Sequence, residues 1–311
     1  GIKMAEFIPV EGNEKARALF ESMLNARSSV PPSAQETAAR WDSRADEWER
    51  SGGALQTDHG RRAQDAAAFL ISRGALGPES VAADIGCGPG RFACEFAKTA
   101  RSVTGFDISP RMTELGAQRA RELGLGNVSF RACDFHALDV GSEGLEGRFD
   151  LVFSSMTPAV RGVEGLKKTM AMSRAFCCQV THVSSANELQ GRIMRELFGR
   201  ERSDPRYGSG QWFYALFNLL FLSGYSPEAS YYNARDERRV PAGEGYARHF
   251  MDMLLPEGER TEGNLRRITA WLAAHAEADG CLLERSETCY GRLLWDVRAR
   301  SPRIEFFRGL I

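Results

Sequence analysis

The residues with the clearest capacity for chemistry lie in one short stretch, residues 81–90. An apolar run typical of a buried β-strand contains Asp84, and Gly86, Gly88 and Gly90 follow at alternate positions. The next eight residues have the spacing of an amphipathic helix. Glycines permit backbone angles that a Cβ atom forbids, and they let a ligand lie against bare main chain. Strand, glycine turn and helix therefore predict the first half of a βαβ nucleotide site.

Two more acidic residues follow the next two predicted strands. Asp107 ends a strand predicted over residues 101–107, and Asp134 lies near the end of one over residues 127–135. Ligands of open α/β sheets bind at the carboxyl ends of the strands, so we expect these acids and Asp84 at one edge. A carboxylate in the position of Asp107 can accept hydrogen bonds from both ribose hydroxyls of a nucleoside.

The glycine spacing G-x-G-x-G, with an acid two residues before the first glycine, resembles motif I of the class I S-adenosylmethionine (SAM) methyltransferases. The fingerprint of an NAD-dependent oxidoreductase, the alternative enzyme class, needs a third glycine where this chain has Arg91. The resemblance covers about residues 61–185 and implies SAM as cofactor and S-adenosylhomocysteine (SAH) as product. The cofactor contacts that it implies are Asp84, Gly86, Cys87, Gly88, Gly90, Asp107, Ile108, Asp134, Phe135, Ser154 and Ser155.

The same resemblance implies the fold class and the division of the chain. We expect an α/β protein, a three-layer α/β/α Rossmann-like fold whose seven-stranded, mostly parallel sheet has the order 3-2-1-4-5-7-6, with strand 7 antiparallel. A helix after the second strand is predicted to begin with Ser109 as N-cap and Pro110 in its first turn. The predicted divisions are a helical lid segment at 1–60, a core at 61–300 with helical additions at 187–224 and 241–280, and a tail at 301–311.

The last three strands are predicted to be short. The patterns favour a fifth strand at 176–183, a sixth at 229–233 and a seventh within 291–297. The charged run 235–239 is interpreted as a solvated strand end rather than a phosphate site.

An aromatic pair in the N-terminal segment is the predicted lid. Trp41 and Trp48 share one helical face with Ala45, and the segment is similar to one that closes over the cofactor in many small-molecule methyltransferases. Residues 51–53 would be its joint. The alternative is that the aromatic pair only anchors a helix. We expect the acceptor to lie between this segment and the helices after the fifth strand, with contacts from Met156, Trp212 and Tyr246.

Methyl transfer from a sulfonium is an in-line displacement, so the protein has to orient the acceptor, exclude water and, for some acceptors, take up a proton. His182, predicted near the end of the fifth strand, and His59, near the joint, are the candidate general bases. The alternative for each is a structural or surface histidine. No metal-binding signature is present in the sequence, and no metal is expected.

The composition of the chain indicates which classes of binding partner to expect. The formal net charge is −1 and the chain has seven cysteines without a C-x-x-C pair, which favours a cytoplasmic protein without a broad nucleic-acid surface. No apolar run is long enough for a membrane helix. Residues 154–158 lack the proline–aromatic element of many base and glutamine methyltransferases. A small-molecule acceptor is therefore predicted, with a protein or RNA methyltransferase, or a SAM- or SAH-binding protein without catalysis, as alternatives.

Overall fold

The computed structural model of the chain describes residues 13–26, 33–50, 56–202 and 210–301, without the side chains of residues 44, 46–50 and 56–60. Its strands are β1 (Val81–Ile85), β2 (Ser102–Asp107), β3 (Val128–Ala132), β4 (Phe149–Ser155), β5 (Ser173–Asn187), β6 (Glu228–Pro241) and β7 (Cys281–Asp296). Its helices are α1 (Glu14–Asn25), α2 (Ala34–Arg50), α3 (Gln56–Ser72), α4 (Arg91–Ala97), α5 (Pro110–Glu122), α6 (Gly162–Met172), α7 (Glu188–Phe198), α8 (Gln211–Leu222), α9 (Glu244–Leu254) and α10 (Glu262–His275).

The strands form one seven-stranded sheet in the order β3-β2-β1-β4-β5-β7-β6. The pairs β1–β2, β1–β4, β2–β3 and β4–β5 are parallel. The backbone N–H of Val297, just after β7, donates to the carbonyl of Ala175 near the start of β5, so β7 runs antiparallel to β5. The predicted fold class and strand order are confirmed.

The last three strands are much longer than predicted. β5, β6 and β7 span 15, 14 and 16 residues, because polar stretches that look like loops in the sequence continue the pairing. Cross-strand ion pairs support this extension, with Arg235 next to Glu287 and Arg285 next to Glu237. Opposite charges on neighbouring strands contribute to the stability of this part of the sheet, where the side chains are exposed. The charged run is indeed solvated, but it lies within β6 rather than after it.

Aromatic packing fixes the first helix of the βαβ unit. Phe92 and Phe96 of α4 lie on Phe153 of β4, with ring centroids 5.0 and 4.9 Å apart. Phe96 and Phe153 are fully buried. Because α4 starts immediately after the glycine turn, this contact also holds the turn against the end of β1.

The chain divides into two compact units. The first contains residues 1–181, 214–230 and 292–311, and the second contains residues 182–213 and 231–291. The second unit has its own apolar core, which includes Ile193, Phe250, Ile268 and Leu272, all of them completely buried. The long strands β5, β6 and β7 each contribute residues to both units.

Candidate functional site

The glycine turn after β1 is shaped by close neighbours at its first and third glycines. Gly86, Gly88 and Gly90 all have positive φ, at 68°, 52° and 74°. A Cβ atom on Gly86 would lie 2.0 Å from the hydroxyl of Thr157, and one on Gly90 would lie 2.6 Å from the ring of Phe130. Both positions therefore require glycine for packing as well as for backbone conformation.

Gly88 differs from its two neighbours because its surroundings are open. A Cβ atom there would meet nothing within 4 Å among the residues that the structure describes. Its backbone N–H donates to the carboxylate of Asp107 at 2.8 Å. The middle glycine thus exposes bare main chain where a ligand can approach, which is the geometry that the sequence pattern predicts.

Asp107 stands at the end of β2 and organises the turn. One carboxylate oxygen accepts the N–H of Gly88, and the other accepts the N–H of Ser109 at 2.9 Å. Burial raises the pKa of Asp107, and the hydrogen bonds from Ser109 and Gly88 only partly offset that effect. A carboxylate has about four lone-pair sites, so Asp107 can still accept a hydrogen bond from a ligand hydroxyl.

Asp84 is the second carboxylate of this site and is 1% exposed. Burial raises its pKa well above the ordinary value, and the nearby charge of Asp107 raises it further. The backbone N–H of Ala93 acts in the opposite direction. Oδ2 of Asp84 has no hydrogen-bond partner within the described part of the chain. An unpartnered buried carboxylate oxygen is costly unless a ligand or water supplies a donor.

The adenine end that the resemblance implies has the expected residues after β2 and β3. Ile108 is partly exposed next to Asp107, and Asp134 accepts the N–H of His136 at 3.0 Å in a tight turn. Phe135 is buried, with the ammonium of Lys168 5.9 Å from its ring centre. The roles of these residues toward adenine stay predictions.

Helix α2 is attached beside this site by Asp42, which the sequence analysis did not single out as functional. Its carboxylate accepts hydrogen bonds from the hydroxyl of Ser109 and from the N–H of Arg111. Trp41 is partly buried and Ala45 fully buried. The side chain of Trp48 and the predicted joint at 51–53 lie outside the described residues. The sequence feature that could have indicated a role for Asp42 was its position between the two tryptophans of the predicted lid.

Several buried polar groups lie where β4 and β5 reach the carboxyl edge. Ser154 pairs in register with Gln179, so the two side chains share one face of the sheet, as does Thr181 two residues further along β5. Gln179 is 1% exposed, and neither its amide nitrogen nor its amide oxygen has a partner among the residues described. The hydroxyls of Thr181 and of Ser155 are also without a hydrogen-bond partner among those residues.

Gln179 is the residue that sequence reasoning missed at this edge. Its position inside the short run 176–180, whose other residues are apolar, was the available signal. Next to it, Met156 has a φ of 54°, which is uncommon for a residue with a side chain. This conformation turns the chain out of β4 and brings Thr157 against Gly86.

The structure gives only the location of the other predicted acceptor and base residues. His182 is partly exposed on β5 and, like Trp212 of α8, belongs to the second unit. His59 is in α3, and its side chain is not described. Their catalytic or binding roles stay predictions.

Tyr246 has a partner within the second unit. Its hydroxyl donates to Glu284 at 2.6 Å, and the same carboxylate accepts bonds from Asn187 at 3.0 Å and Arg238 at 2.5 Å. Burial opposes ionisation of Glu284, but these hydrogen bonds outweigh it and lower its pKa. Tyr246 is therefore part of a buried polar network, and a contact with the acceptor stays a prediction.

The comparison with protein families decides which chemistry this geometry serves. A family model for a methyltransferase domain matches residues 77–213. This segment is a methyltransferase domain. It contains β1 to β5 with the glycine turn and all three strand-end acids. Together with the strand order, it confirms the resemblance to the class I SAM-dependent methyltransferases.

Individual relatives are distant. A probable cobalt-precorrin-6B C(15)-methyltransferase (decarboxylating) of Methanobrevibacter smithii is 33% identical over 60 residues, which are 19% of this chain and 32% of that protein. The chain thus spans about a third of the length of the curated relative that it matches.

Two solved structures are similar to this chain. Magnesium protoporphyrin IX methyltransferase (ChlM) from Synechocystis PCC 6803, with bound SAH, has 20% identity and a TM-score of 0.48, over 64% of this chain and 92% of that chain. The YcgJ protein from Bacillus subtilis has 14% identity and a TM-score of 0.45, over 75% and 97%.

The residues of the methyltransferase domain fit the cofactor of its family. A Cβ atom on Gly88 would meet nothing within 4 Å among the described residues, and Asp107 next to it is a carboxylate that can accept a ligand hydroxyl. The unpartnered oxygen of Asp84 suits a cofactor that carries positive charge and hydrogen-bond donors. Within the described residues, no helix has the length and apolar character to cross a membrane.

Proposed function

We propose that this protein transfers the methyl group of SAM to a small-molecule acceptor and releases SAH. The observation that carries the proposal is the open backbone at Gly88, whose N–H donates to Asp107, within a methyltransferase domain. The alternative that the protein binds SAM or SAH without catalysis shares these binding features, so turnover has to be measured.

In this proposal the protein contributes orientation, charge and exclusion of water. Bound SAM supplies an activated methyl group. Asp107 holds the ribose, and the two carboxylates favour a cationic ligand over a neutral one. The amide of Gln179 offers two N–H donors and one acceptor oxygen at the carboxyl edge, which suits a methyl acceptor with a polar group. His182 remains the proposed proton acceptor for substrates that have to lose a proton.

A small acceptor is supported by two features. The net charge is −1, which provides no general attraction to nucleic acid. The β4 exit, with Ser154, Ser155 and Met156, lacks a proline–aromatic element. The proposed compartment is the cytoplasm, because all seven cysteines are free thiols and reducing compartments keep thiols in that state.

The direct test of cofactor binding compares two glycines with the same strain. Gly88 and Gly124 have φ values of 52° and 66°, and a Cβ atom has open space at both. A side chain at either costs about 1–2 kcal/mol of backbone strain, but only Gly88 lies in the proposed site. We expect Gly88→Ala to weaken SAH at least tenfold in calorimetry and Gly124→Ala to leave the affinity within twofold. Equal affinities in both variants would refute the site.

Catalysis is tested by SAH formation from labelled SAM with a protein-free extract of small molecules. The proposal expects SAH above the level without extract, and at least a tenfold loss of rate in Asp107→Ala at subsaturating SAM. Losing hydrogen bonds to a charged acceptor costs about 1.5–3 kcal/mol. Binding of SAM without turnover would favour the non-catalytic alternative. Turnover only with protein or RNA fractions would show that the acceptor is a macromolecule.

A further inference from the structure

The connection from β4 to α6, residues 156–161, begins with an unfavourable backbone conformation. Met156 has a φ of 54°, in the left-handed region that a side chain disfavours. Its backbone N–H donates to the carbonyl of Val180 at 2.9 Å, and Pro158–Val160 then form one turn of 3-10 helix. Strained conformations of this kind persist only where neighbouring contacts hold them, and they are common at functional sites. Thr157 supplies such a contact.

The side chain of Thr157 packs against the first glycine of the glycine turn. Its atoms Oγ1, Cβ and Cγ2 lie 2.0, 2.5 and 2.9 Å from the position that a Cβ atom would take on Gly86. The same hydroxyl oxygen accepts the backbone N–H of Ala159 at 3.1 Å and so caps the 3-10 turn. One side chain thus contacts the glycine turn and also fixes the connection after β4.

The glycine turn is held on its opposite side by β2. The backbone N–H of Gly86 donates to the carbonyl of Phe106 at 2.8 Å. The N–H of Gly88 donates to Asp107, also at 2.8 Å. These bonds attach the turn to the strand that ends in the proposed ribose acid, whereas Thr157 attaches it to the connection on the proposed acceptor side.

The far end of the connection is also tightly packed. A Cβ atom on Gly165 of α6 would lie 2.4 Å from the carbonyl group of Val160. The side chain of Asn25 in α1 accepts the N–H of Val163, near the start of α6, at 3.0 Å. Close-packed interiors transmit displacements rather than absorb them, so a movement of the glycine turn would be passed along this connection.

We propose that Thr157 is a positioning residue that couples occupancy of the glycine turn to the geometry of the acceptor side. A cofactor that lies against the bare main chain of Gly88 restricts the turn, and the contact with Gly86 passes that restriction to residues 156–161. In-line displacement needs this alignment, because a misplacement of about 1 Å can cost about 100-fold in rate. The inference rests on the proposed methyl transfer and deepens it by naming a residue that acts through the backbone.

Three variants separate the contact with Gly86 from the capping hydrogen bond. Thr157→Ala removes both. Thr157→Val keeps a branched side chain against Gly86 and loses only the capping oxygen. The control is Thr261→Ala, because Thr261 caps α10 in the same way, through the N–H of Asn264 at 3.2 Å, and belongs to the second unit.

The first measurement is hydrogen exchange of residues 159–163 with and without saturating SAH. In the wild type, Thr157→Val and Thr261→Ala, SAH should slow this exchange about fivefold or more. In Thr157→Ala, SAH affinity should stay within about threefold of the wild type, because Gly88 and Asp107 are unchanged, but exchange should slow less than about twofold. The change on adding SAH is compared, since both Thr157 variants lose the cap.

The second measurement is SAH formation with the extract of small molecules at saturating SAM. Thr157→Ala should lower this rate about tenfold or more, while the KM for SAM stays within about threefold. Thr157→Val should recover at least about a third of the wild-type rate, and Thr261→Ala should change it less than about twofold. A purely structural role of Thr157 predicts instead a lower Tm without a selective loss of rate per folded molecule.

Three results would overturn the inference. They are exchange of residues 159–163 that SAH does not change in the wild type, equal losses of rate in Thr157→Val and Thr157→Ala, and a rise in KM as large as the fall in rate. The second would assign the effect to the capping hydrogen bond, and the third would assign it to cofactor binding.

Failure of the proposed function can be distinguished from failure of this inference, because SAH binding and hydrogen exchange do not require turnover. A protein that binds SAH without catalysis would still show the exchange differences between Thr157→Ala and Thr157→Val. A wild type that does not bind SAH would refute the cofactor site itself, and this inference with it.

Discussion

At the scale of single residues, buried polar groups without partners mark the candidate site. Asp84 and Gln179 are each 1% exposed, and both carry side-chain atoms that lack a partner in the described part of the chain. Such groups lower stability unless a ligand or water satisfies them. Natural sites accept this cost because the same atoms then recognise a ligand.

Asp84 gives a prediction with a definite pH dependence. Its pKa is raised in the folded protein by burial and by Asp107. Its contribution to stability is therefore fully present below the unfolded pKa of about 3.9 and is lost as pH rises through the folded pKa. Asp84→Asn removes the buried charge. It should increase the free energy of unfolding by about 1–3 kcal/mol at pH 8, with a smaller gain at pH 5, in urea unfolding.

Asp150 is the control with the opposite sign. Its pKa is lowered mainly by its hydrogen bonds with Arg174, at 2.6 and 2.7 Å. Asp150→Asn should therefore reduce stability at neutral pH. A gain for Asp84→Asn that does not change between pH 5 and pH 8 would contradict the titration of Asp84.

Gln179 gives a prediction in which stability and activity move in opposite directions. Leucine has nearly the same volume, so Gln179→Leu removes unpartnered amide atoms without creating a cavity. Urea unfolding should show equal or greater stability, by up to about 2 kcal/mol. SAH affinity should stay within twofold while SAH formation with the extract falls at least tenfold. Unchanged turnover would assign Gln179 to a buried water site instead.

At the scale of secondary structure, α2 and α5 meet through one carboxylate. Asp42 accepts hydrogen bonds from Ser109 and Arg111 at the start of α5. Ser109 also donates its backbone N–H to Asp107. The predicted lid and the proposed ribose acid are therefore two hydrogen bonds apart.

This connection predicts that α2 responds to the cofactor. Asp42→Ala should speed hydrogen exchange of α2, because it removes hydrogen bonds to a charged group worth about 1.5–3 kcal/mol. SAH affinity should fall about threefold or more. The control is Glu114→Ala, which removes an exposed carboxylate that contacts only the side chain of Arg111 in the described hydrogen bonds. Similar exchange of α2 in both variants would leave Asp42 without a role in holding it.

At the scale of the whole molecule, the two units are stabilised by different interactions. The first unit is built around the sheet and its aromatic packing, with Phe96, Phe106 and Phe153 almost fully buried. The second unit combines an apolar core with the polar network around Glu284, a carboxylate whose side chain is 3% exposed. A change in that network should affect one unit more than the other.

Glu284→Gln tests this difference. The substitution removes the charge that Tyr246, Asn187 and Arg238 share, and it should destabilise the second unit by about 1–3 kcal/mol. Because the pKa of Glu284 is lowered, its contribution is present above the ordinary value of 4.5 and is lost as pH falls through the folded pKa. Hydrogen exchange should accelerate in residues 231–291 more than in β1 and β4.

The matched control on the same strand is Glu287→Gln. Glu287 pairs with Arg235, whose side chain is 81% exposed. Exposed pairs of this kind contribute about 0–1 kcal/mol. A loss of stability as large as that of Glu284→Gln, or faster exchange spread evenly over the chain, would contradict a separate role for the buried network.

The sequence by itself determined the features that depend on local chemistry. The glycine spacing after Asp84 predicted the turn, and the order of the strands followed from the resemblance that this spacing supports. The start of α5 was also predictable, since Ser109 accepts the N–H of Met112 and Pro110 is in the first turn. Backbone conformation and helix capping depend on residues within a few positions of one another, so a single sequence contains enough information for them.

Only the tertiary structure decided which distant residues meet. Thr157 fills the space beside Gly86, and Asp42 accepts a hydrogen bond from the hydroxyl of Ser109. The extra length of β6 and β7 also depends on residues that are distant in sequence. Their polar residues lack the apolar alternation that predicts a strand. They stay extended because they hydrogen-bond to a neighbouring strand that is distant in sequence.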